Sequence, residues 1–187
     1  MSIHFDILDT SLQGLQVIQR KPIGDSRGYL ERLFCRNDLA ELLGNRTIVQ
    51  INHTLTQKKG TVRGLHFQYP PHAETKFVTC LFGKVFDVAV DLRKGSPTFL
   101  HWHNEILGET NRKTLMIPEG FAHGFQTLSD NCELIYFHTA AFCTEAEGGI
   151  NALDPALAVQ WPLSVTERST RDQQHPMITT AFRGITV

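Results

Sequence analysis

The sequence has few of the features that mark a protein for a membrane or for nucleic acid. Its 187 residues contain no apolar run that approaches the roughly 20 residues needed to span a bilayer. The first residues do not combine a basic segment with an apolar one, as a secretory signal does. The formal net charge of -1 provides no broad basic field. We therefore expect no membrane and no nucleic-acid partner, and any anion site must be a local cluster of Arg and Lys.

The four cysteines show no Cys-x-x-Cys spacing. This favours free thiols in a reducing compartment over a zinc site or a disulfide framework, so we expect a cytoplasmic protein. The composition, with 41% hydrophobic and 20% charged residues, is ordinary for a globular protein with a sizeable core. Because there is no internal repeat, low-complexity run or linker, we expect one domain over residues 1–187.

Short strands separated by turn-forming residues dominate the chain, and only residues 37–44 predict a helix. The two apolar segments on either side of Gly83-Lys84 predict a β-hairpin. Many short strands with little helix favour a β-sandwich or small barrel, whose mouth can gather polar side chains around a ligand. The loop-rich tail from Glu145 is expected to pack on this barrel. The predicted strands are residues 15–20, 48–53, 76–82, 85–92, 102–107, 113–117 and 133–139.

Two segments carry candidate binding or catalytic residues. In residues 48–53, alternation places Gln50 and Asn52 on one face, where they either read a ligand or face solvent. Residues 63–68, which predict a loop or the end of a strand, combine a cation, a flexible glycine and an imidazole. In an extended segment, alternation points His66 away from the apolar residues beside it. A single His is more often structural than catalytic, so the interpretation depends on partners elsewhere in the chain.

A metal site is one alternative. His101 and His103 share one strand face, which suits a metal centre if a carboxylate and a third His converge there. The pair also fits a solvent-facing strand, because Trp102 between them points to the other side. A metal-dependent cupin enzyme therefore stays open as an alternative, whereas no nucleophile elbow or activated Cys supports covalent catalysis.

Proton transfer at carbon is another possibility. It needs a neutral His as base, a carboxylate that holds its tautomer, a Lys that stabilises an enolate and a Tyr that donates from the other side. The chain contains all four residue types, but spacing alone does not select the individuals.

Six motifs occur in order along the chain between about residues 15 and 172. They are Asp25-Ser26-Arg27-Gly28, Gln50-Ile51-Asn52, Arg63-Gly64-Leu65-His66-Phe67-Gln68, Val88-Ala89-Val90-Asp91-Leu92-Arg93, Ser96-Pro97-Thr98-Phe99 and Ile117-Pro118-Glu119-Gly120-Phe121-Ala122-His123-Gly124-Phe125. Together they resemble the dTDP-4-dehydrorhamnose 3,5-epimerase family. The resemblance implies an all-β double-stranded β-helix (cupin or jelly roll) with a few short helices. It also implies a homodimer, no metal or other cofactor, and a nucleotide-linked 4-keto-6-deoxyhexose, most simply a dTDP sugar, as substrate.

The resemblance also implies roles for individual residues. His66 matches the general base, Asp172 its carboxylate partner, Lys76 the lysine near the keto oxygen and Tyr136 the general acid. A 4-keto group acidifies the hydrogens at C3 and C5, so removal of one gives an enolate, and reprotonation from the opposite face inverts the centre. Other residues match positions that line the sugar or the nucleotide. These are Arg27, Gln50, Asn52, Arg63, His123, Glu147 and Arg171.

The chain departs from the family pattern at two places. Phe142, expected to line the sugar site, stands where members that invert both centres commonly have a second Tyr, and its ring has no proton to donate. Inversion at C3 only or C5 only is therefore an alternative to double inversion. Arg32 stands where some members have Glu, although Glu31 precedes it, so the nucleotide contacts and the base are open. A binding module without turnover is a further alternative.

Overall fold

The computed structural model describes residues 2–187, which fold into two antiparallel sheets that face each other. Within residues 2–187, helix is confined to two short segments, α1 (Ala40–Leu43) and α2 (Thr170–Gln174), and one 3-10 turn (Thr144–Ala146). The strands in chain order are β1 (Phe5–Asp9), β2 (Gln16–Arg20), β3 (Ile23–Asp25), β4 (Gly28–Leu30), β5 (Gln50–Thr56), β6 (Val62–Gln68), β7 (Lys76–Phe82), β8 (Lys84–Asp91), β9 (Trp102–Gly108), β10 (Lys113–Ile117), β11 (Phe121–Thr127), β12 (Cys132–His138) and β13 (Glu147–Gly149).

The order of the strands is that of a jelly roll. One sheet has the order β1-β2-β10-β7-β12-β5 and the other the order β13-β6-β11-β8-β9, while β3 and β4 form a separate small hairpin. The chain passes repeatedly from one sheet to the other, as from β10 to β11 and from β11 to β12. The all-β double-stranded β-helix (jelly roll) predicted from the sequence is confirmed.

The predicted hairpin around Gly83 is wrong. β7 pairs with β10 and β12, whereas β8 pairs with β9 and β11, so the chain crosses between the sheets at this point. Gly83 adopts a φ of 79° at the crossing, a value that favours glycine. Both strands are buried along most of their length, and a turn residue between two such strands does not show whether they share a sheet.

Two apolar cores sandwich the five-stranded sheet. Val78, Leu115 and Phe125 belong to the core between the sheets. The second core lies on the outer face, where the C-terminal tail covers residues such as Leu65 and Val88. The prediction that the tail packs on the barrel is confirmed, and each large apolar side chain buried there contributes about 1.5–3 kcal/mol.

Smaller differences from the prediction have local causes. The helix predicted over residues 37–44 is a single turn that begins after Leu39 and has no side-chain cap. Strand β11 was not predicted from the sequence pattern, because a glycine and a histidine interrupt it although every residue in it is buried. Among residues 2–187, no helix has the length and hydropathy needed to cross a membrane.

Candidate active site

A cavity of about 190 Å³ opens between the two sheets. Ten of the twelve predicted site residues line it, and Asp172 lies directly behind one of them. The lining residues among the predicted ones are Gln50, Asn52, Arg63, His66, Lys76, His123, Tyr136, Phe142, Glu147 and Arg171.

The six-stranded sheet supplies one polar wall of the cavity. Gln50, His138 and Lys76 are cross-strand partners on β5, β12 and β7, and Asn52 partners Tyr136 in the next row. Directly opposed residues in a sheet point to the same side, so this register brings the five side chains to one face. The amides that were expected either to read a ligand or to face solvent therefore face the cavity.

The five-stranded sheet supplies the opposite wall. His66 on β6 pairs with His123 on β11, and the register between these strands shifts between His123 and Phe125. Arg63 and His66 are three residues apart and would point to opposite faces of a regular strand. The shift allows both to line the cavity.

Two glycines permit the close approach of β6 and β11 at this shift. A Cβ added to Gly64, whose φ is 118°, would lie 2.6 Å from the Gly124 Cα. A Cβ added to Gly124 would lie 2.6 Å from the Arg63 carbonyl oxygen. Only glycine fits at both positions, so these residues set the distance between the strands that carry His66 and His123.

His66 and Asp172 form a hydrogen-bonded pair. His66 Nε2 lies 2.8 Å from Asp172 Oδ1, and Asp172 Oδ2 accepts a 3.0 Å hydrogen bond from the Gly64 N–H. The Ser169 side chain caps α2 by accepting from the Asp172 N–H, which holds the carboxylate at the start of the helix. The carboxylate therefore keeps the ring hydrogen on Nε2 and leaves Nδ1 as the free basic nitrogen.

The surroundings of Asp172 keep it ionised. Burial alone raises the pKa of this carboxyl, but the hydrogen bonds from His66 and the Gly64 N–H outweigh it and hold the pKa well below its ordinary range. The side chain is only 3% exposed, whereas that of His66 is 25% exposed. The pair thus combines a fixed, buried carboxylate with an imidazole that is open to the cavity, as a general base requires.

Lys76 and Tyr136 face His66 from the other sheet. Lys76 is 9% exposed, and its Nζ lies 2.9 Å from Glu74 Oε1. Tyr136 packs against the core between the sheets. Burial and the nearby Asp87 carboxylate raise the pKa of its hydroxyl, so the group holds its proton until a strong base appears.

His123 has a buried carboxylate partner that was not predicted from the sequence. Its Nε2 lies 2.9 and 3.0 Å from the two carboxylate oxygens of Asp87. Burial raises the pKa of Asp87 against the opposing effect of His123. His123 pairs with Ala89 on β8, and Asp87 lies two residues from Ala89, so alternation places Asp87 on the same face as His123 once the order of the strands is known.

The mouth of the cavity carries both apolar and charged groups. Phe142 is 53% exposed, and its N–H donates a 2.9 Å hydrogen bond to Gln50 Oε1. Arg171 Nη1 donates to both oxygens of Glu147, at 3.0 and 3.1 Å. Arg63 is exposed on the same cavity. The rim therefore offers two guanidinium groups near one aromatic ring.

The expectation that Arg27 lines the site needs correction for a single chain. Arg27 lies on the β3–β4 hairpin, where it pairs with Asp25 at 2.6 Å, and its side chain does not line the cavity. This hairpin pairs with neither large sheet, and a motif in the sequence does not show which way such a hairpin projects. The neighbouring Glu31 pairs with Arg20 and Arg32 with Asp38, so neither contributes to the cavity.

The structure does not assemble the metal site considered for His101 and His103. His101 is exposed and lies outside β9, and His103 has its nearest carboxylate oxygen, on Glu105, 4.0 Å away. Within residues 2–187, the one group of three side chains able to hold a metal is His66, Asp172 and His175. Neither His101 nor His103 belongs to this group, so the alternative metal site lacks a third ligand.

Comparison with known proteins gives a consistent result. A family profile described as dTDP-4-dehydrorhamnose 3,5-epimerase matches residues 9–180. The chain is 41% identical over 178 residues to the dTDP-4-dehydrorhamnose 3,5-epimerase of Salmonella typhimurium, covering 94% of this chain and 97% of that one. A dTDP-4-dehydrorhamnose 3-epimerase of Streptomyces niveus is 35% identical, over 87% of this chain and 78% of its own.

A solved structure extends the similarity to the fold. The dTDP-6-deoxy-D-glucose-3,5-epimerase of Legionella pneumophila, in complex with dTDP-4-keto-L-rhamnose, superposes with a TM-score of 0.91 at 39% identity. The match covers 98% of this chain and 99% of that chain.

Proposed function

The chain belongs to the dTDP-4-dehydrorhamnose 3,5-epimerase family, and on that premise we propose how its cavity carries out the reaction. The protein is an isomerase that epimerises a dTDP-linked 4-keto-6-deoxyhexose. We assign His66 as the base and Tyr136 as the acid, with Asp172 and Lys76 in support. The observation that carries this assignment is the placement of His66 on one sheet and of Lys76 and Tyr136 on the facing sheet.

The first step is removal of a proton from the carbon beside the keto group. His66 Nδ1 takes the proton, and the electron pair of the broken C–H bond moves toward the carbonyl to form an enolate. Asp172 stabilises the imidazolium that results through the hydrogen bond at Nε2. The ammonium of Lys76 offsets the negative charge on the enolate oxygen, a type of stabilisation that is strong where water is excluded.

The second step is return of a proton from the other side. Tyr136 donates its hydroxyl proton to the same carbon, and the enolate collapses to the ketone with the centre inverted. Base and acid must lie on opposite faces of the sugar for this outcome, and the two facing sheets support such a placement. Each proton removed is replaced by another, so the steps need no redox cofactor.

The rim suits the nucleotide part of the substrate. Arg63 and Arg171 present guanidinium groups, which bind phosphate oxygens through paired hydrogen bonds. Phe142 offers an apolar ring beside them. We propose that the dTDP diphosphate lies along this rim and that Gln50, Asn52 and His123 contact the sugar.

Solvent exchange tests the reaction directly. The purified protein is incubated with a dTDP-4-keto-6-deoxyhexose in D₂O, and deuterium at C3 and C5 is followed by NMR. We expect deuterium at both carbons, and none in a His66→Ala variant. Binding of the sugar nucleotide without exchange at either carbon would instead indicate a module without turnover and would refute the proposal.

A single-centre epimerase is the second candidate, and Phe142 is the observation that favours it. Its ring lines the cavity but cannot donate a proton or a hydrogen bond. The relative from Streptomyces niveus is a 3-epimerase by name. Exchange at one carbon only, with the second carbon labelled in a Phe142→Tyr variant, would support this candidate.

We also propose a homodimer. The β3–β4 hairpin exposes Tyr29 and Leu30 by 63% and 64%, and edge strand β5 exposes Ile51 by 57%. A second copy would cover these apolar side chains and would offer Arg27 a route to the partner's cavity. Sedimentation at equilibrium tests the association, and a monomer at micromolar concentration would contradict it.

Two further expectations stay proposals. A cytoplasmic location is supported by the four cysteines, all within the described residues and none in a disulfide. A single domain over residues 1–187 is supported by the family match over residues 9–180.

A further inference from the structure

Two ionisable side chains at the six-stranded wall have no role in the mechanism above. Glu74 and His138 line the cavity beside Lys76, and their side chains are 7% and 11% exposed. Glu74 Oε1 lies 2.9 Å from Lys76 Nζ, and Glu74 Oε2 lies 3.3 Å from His138 Nδ1. One buried carboxylate therefore bridges an ammonium and an imidazole.

A chain of polar contacts reaches His138 from the other side. The Phe142 N–H donates to Gln50 Oε1 at 2.9 Å, and Gln50 Nε2 donates to Asn52 Oδ1 at 3.2 Å. This orientation turns Asn52 Nδ2 toward His138 Nε2, at 3.4 Å. Because an amide nitrogen only donates, Nε2 must accept, and the ring hydrogen of His138 lies on Nδ1, toward Glu74.

The charges of this group balance only when His138 is neutral. Burial raises the pKa of Glu74, but the contacts with His138 and Lys76 lower it overall, so the carboxyl is ionised and offsets the ammonium. A proton on Nε2 would add a second cation and would set two donors against each other at Asn52. The other groups facing the ring are Tyr136, stacked 6.0 Å away, and the uncharged amides of β5.

We propose that Glu74 and His138 are positioning residues for Lys76. Glu74 fixes the ammonium against the sheet, and neutral His138 fixes Glu74 from its far side. The Gln68 side chain adds a third donor to the same carboxylate, at 3.1 Å. Lys76 thereby meets the enolate oxygen without first having to be ordered. The inference rests on the proposed function, because it concerns the lysine that stabilises the enolate.

Two substitutions of His138 test its contact with Glu74. His138→Asn keeps an N–H donor near the place of Nδ1 but cannot be protonated, whereas His138→Val removes the donor. We expect His138→Val to lower kcat for solvent exchange about tenfold with KM within about twofold, and His138→Asn to stay within about threefold of wild type. Glu74→Gln should lower kcat at least as much as His138→Val, since three donors then face an amide with one accepting atom.

The division between kcat and KM gives a readout that a merely structural role would not reproduce. A lysine that has lost its ordered position should lower kcat and leave KM nearly unchanged, and the N–H donor of His138→Asn should restore most of the lost kcat. Glu74→Gln gives the same measurement even if His138→Val does not fold.

Three results would overturn the inference. They are full kcat in His138→Val, equal losses in His138→Asn and His138→Val, and full kcat in Glu74→Gln. Failure of the proposed function would give a different result. The wild-type protein would then show no solvent exchange, or exchange that His66→Ala leaves unchanged.

Discussion

Replacement of Asp172 by Asn tests the proposed catalytic pair with almost no change in shape. The carboxylate accepts two hydrogen bonds, from His66 Nε2 and from the Gly64 N–H. An amide has only one accepting oxygen. If this oxygen keeps the hydrogen bond from the Gly64 N–H, the NH₂ group faces His66 Nε2. The ring hydrogen must then move to Nδ1, the nitrogen that faces the cavity, which leaves the base unable to accept a proton.

The size of the effect follows from this tautomer change. A positioned general base contributes about 10²–10⁴ in rate, so we expect kcat for exchange in Asp172→Asn to fall by that factor. KM should stay within about twofold, because Asp172 does not line the cavity. Stability should also fall by about 2 kcal/mol, because one charge-assisted hydrogen bond is lost at a buried position.

The assay is deuterium exchange at C3 and C5 at several substrate concentrations, with urea unfolding in parallel. Asp9→Asn is the matched control, since that exposed carboxylate only accepts from Gln16 and should leave both measurements unchanged. A folded Asp172→Asn variant that keeps its kcat would refute the assignment of His66 and Asp172 as the base pair.

Three further predictions concern the acid, the strand contact and acid stability. Tyr136→Phe should lower kcat for epimerisation about 10²-fold, while deuterium wash-in at the carbon deprotonated by His66 should fall much less, since proton removal and return use different groups. Equal loss of epimerisation and wash-in would contradict the division of roles. Gly124→Ala should lower the free energy of unfolding by about 2–4 kcal/mol in urea melts, because its Cβ meets the Arg63 carbonyl oxygen at 2.6 Å, and an unchanged midpoint would argue against that contact. Burial raises the pKa of Asp91, but hydrogen bonds from Arg93, Ser96 and Thr98 lower it to about 2. Because the pKa of Asp91 is lower in the folded state than in the unfolded state, the ionised carboxylate stabilises the fold fully above the unfolded pKa near 4. About 2 kcal/mol of the free energy of unfolding should be lost as the pH falls toward 2. Asp91→Asn should lack this loss, and an acid unfolding profile identical to that of the wild type would refute the prediction.

The sequence allowed prediction of the parts of the site that depend on local pattern or on motif. Alternation placed His66 opposite Leu65 and Phe67, and both apolar residues indeed belong to the core under the tail. Alternation also grouped Gln50 with Asn52. These predictions required only the period of an extended strand.

Long-range partners could not be predicted in the same way. Asp87 meets His123, and Glu74 meets His138, only because β8 lies beside β11 and β7 lies beside β12. Strand order across two sheets is not encoded in any short window of sequence. The same limit explains the wrong hairpin at Gly83 and the position of Arg27, since pairing depends on which sheet each strand joins.

The tail that covers the outer face of the five-stranded sheet has a consequence for biosynthesis. It begins beyond β13 and carries Asp172, which lies 106 residues after its partner His66. A growing chain can therefore complete every strand of both walls and still have an unoriented imidazole. Activity is thus the last property that the nascent chain acquires, because the proposed base pair is complete only when the tail has folded over the sheet.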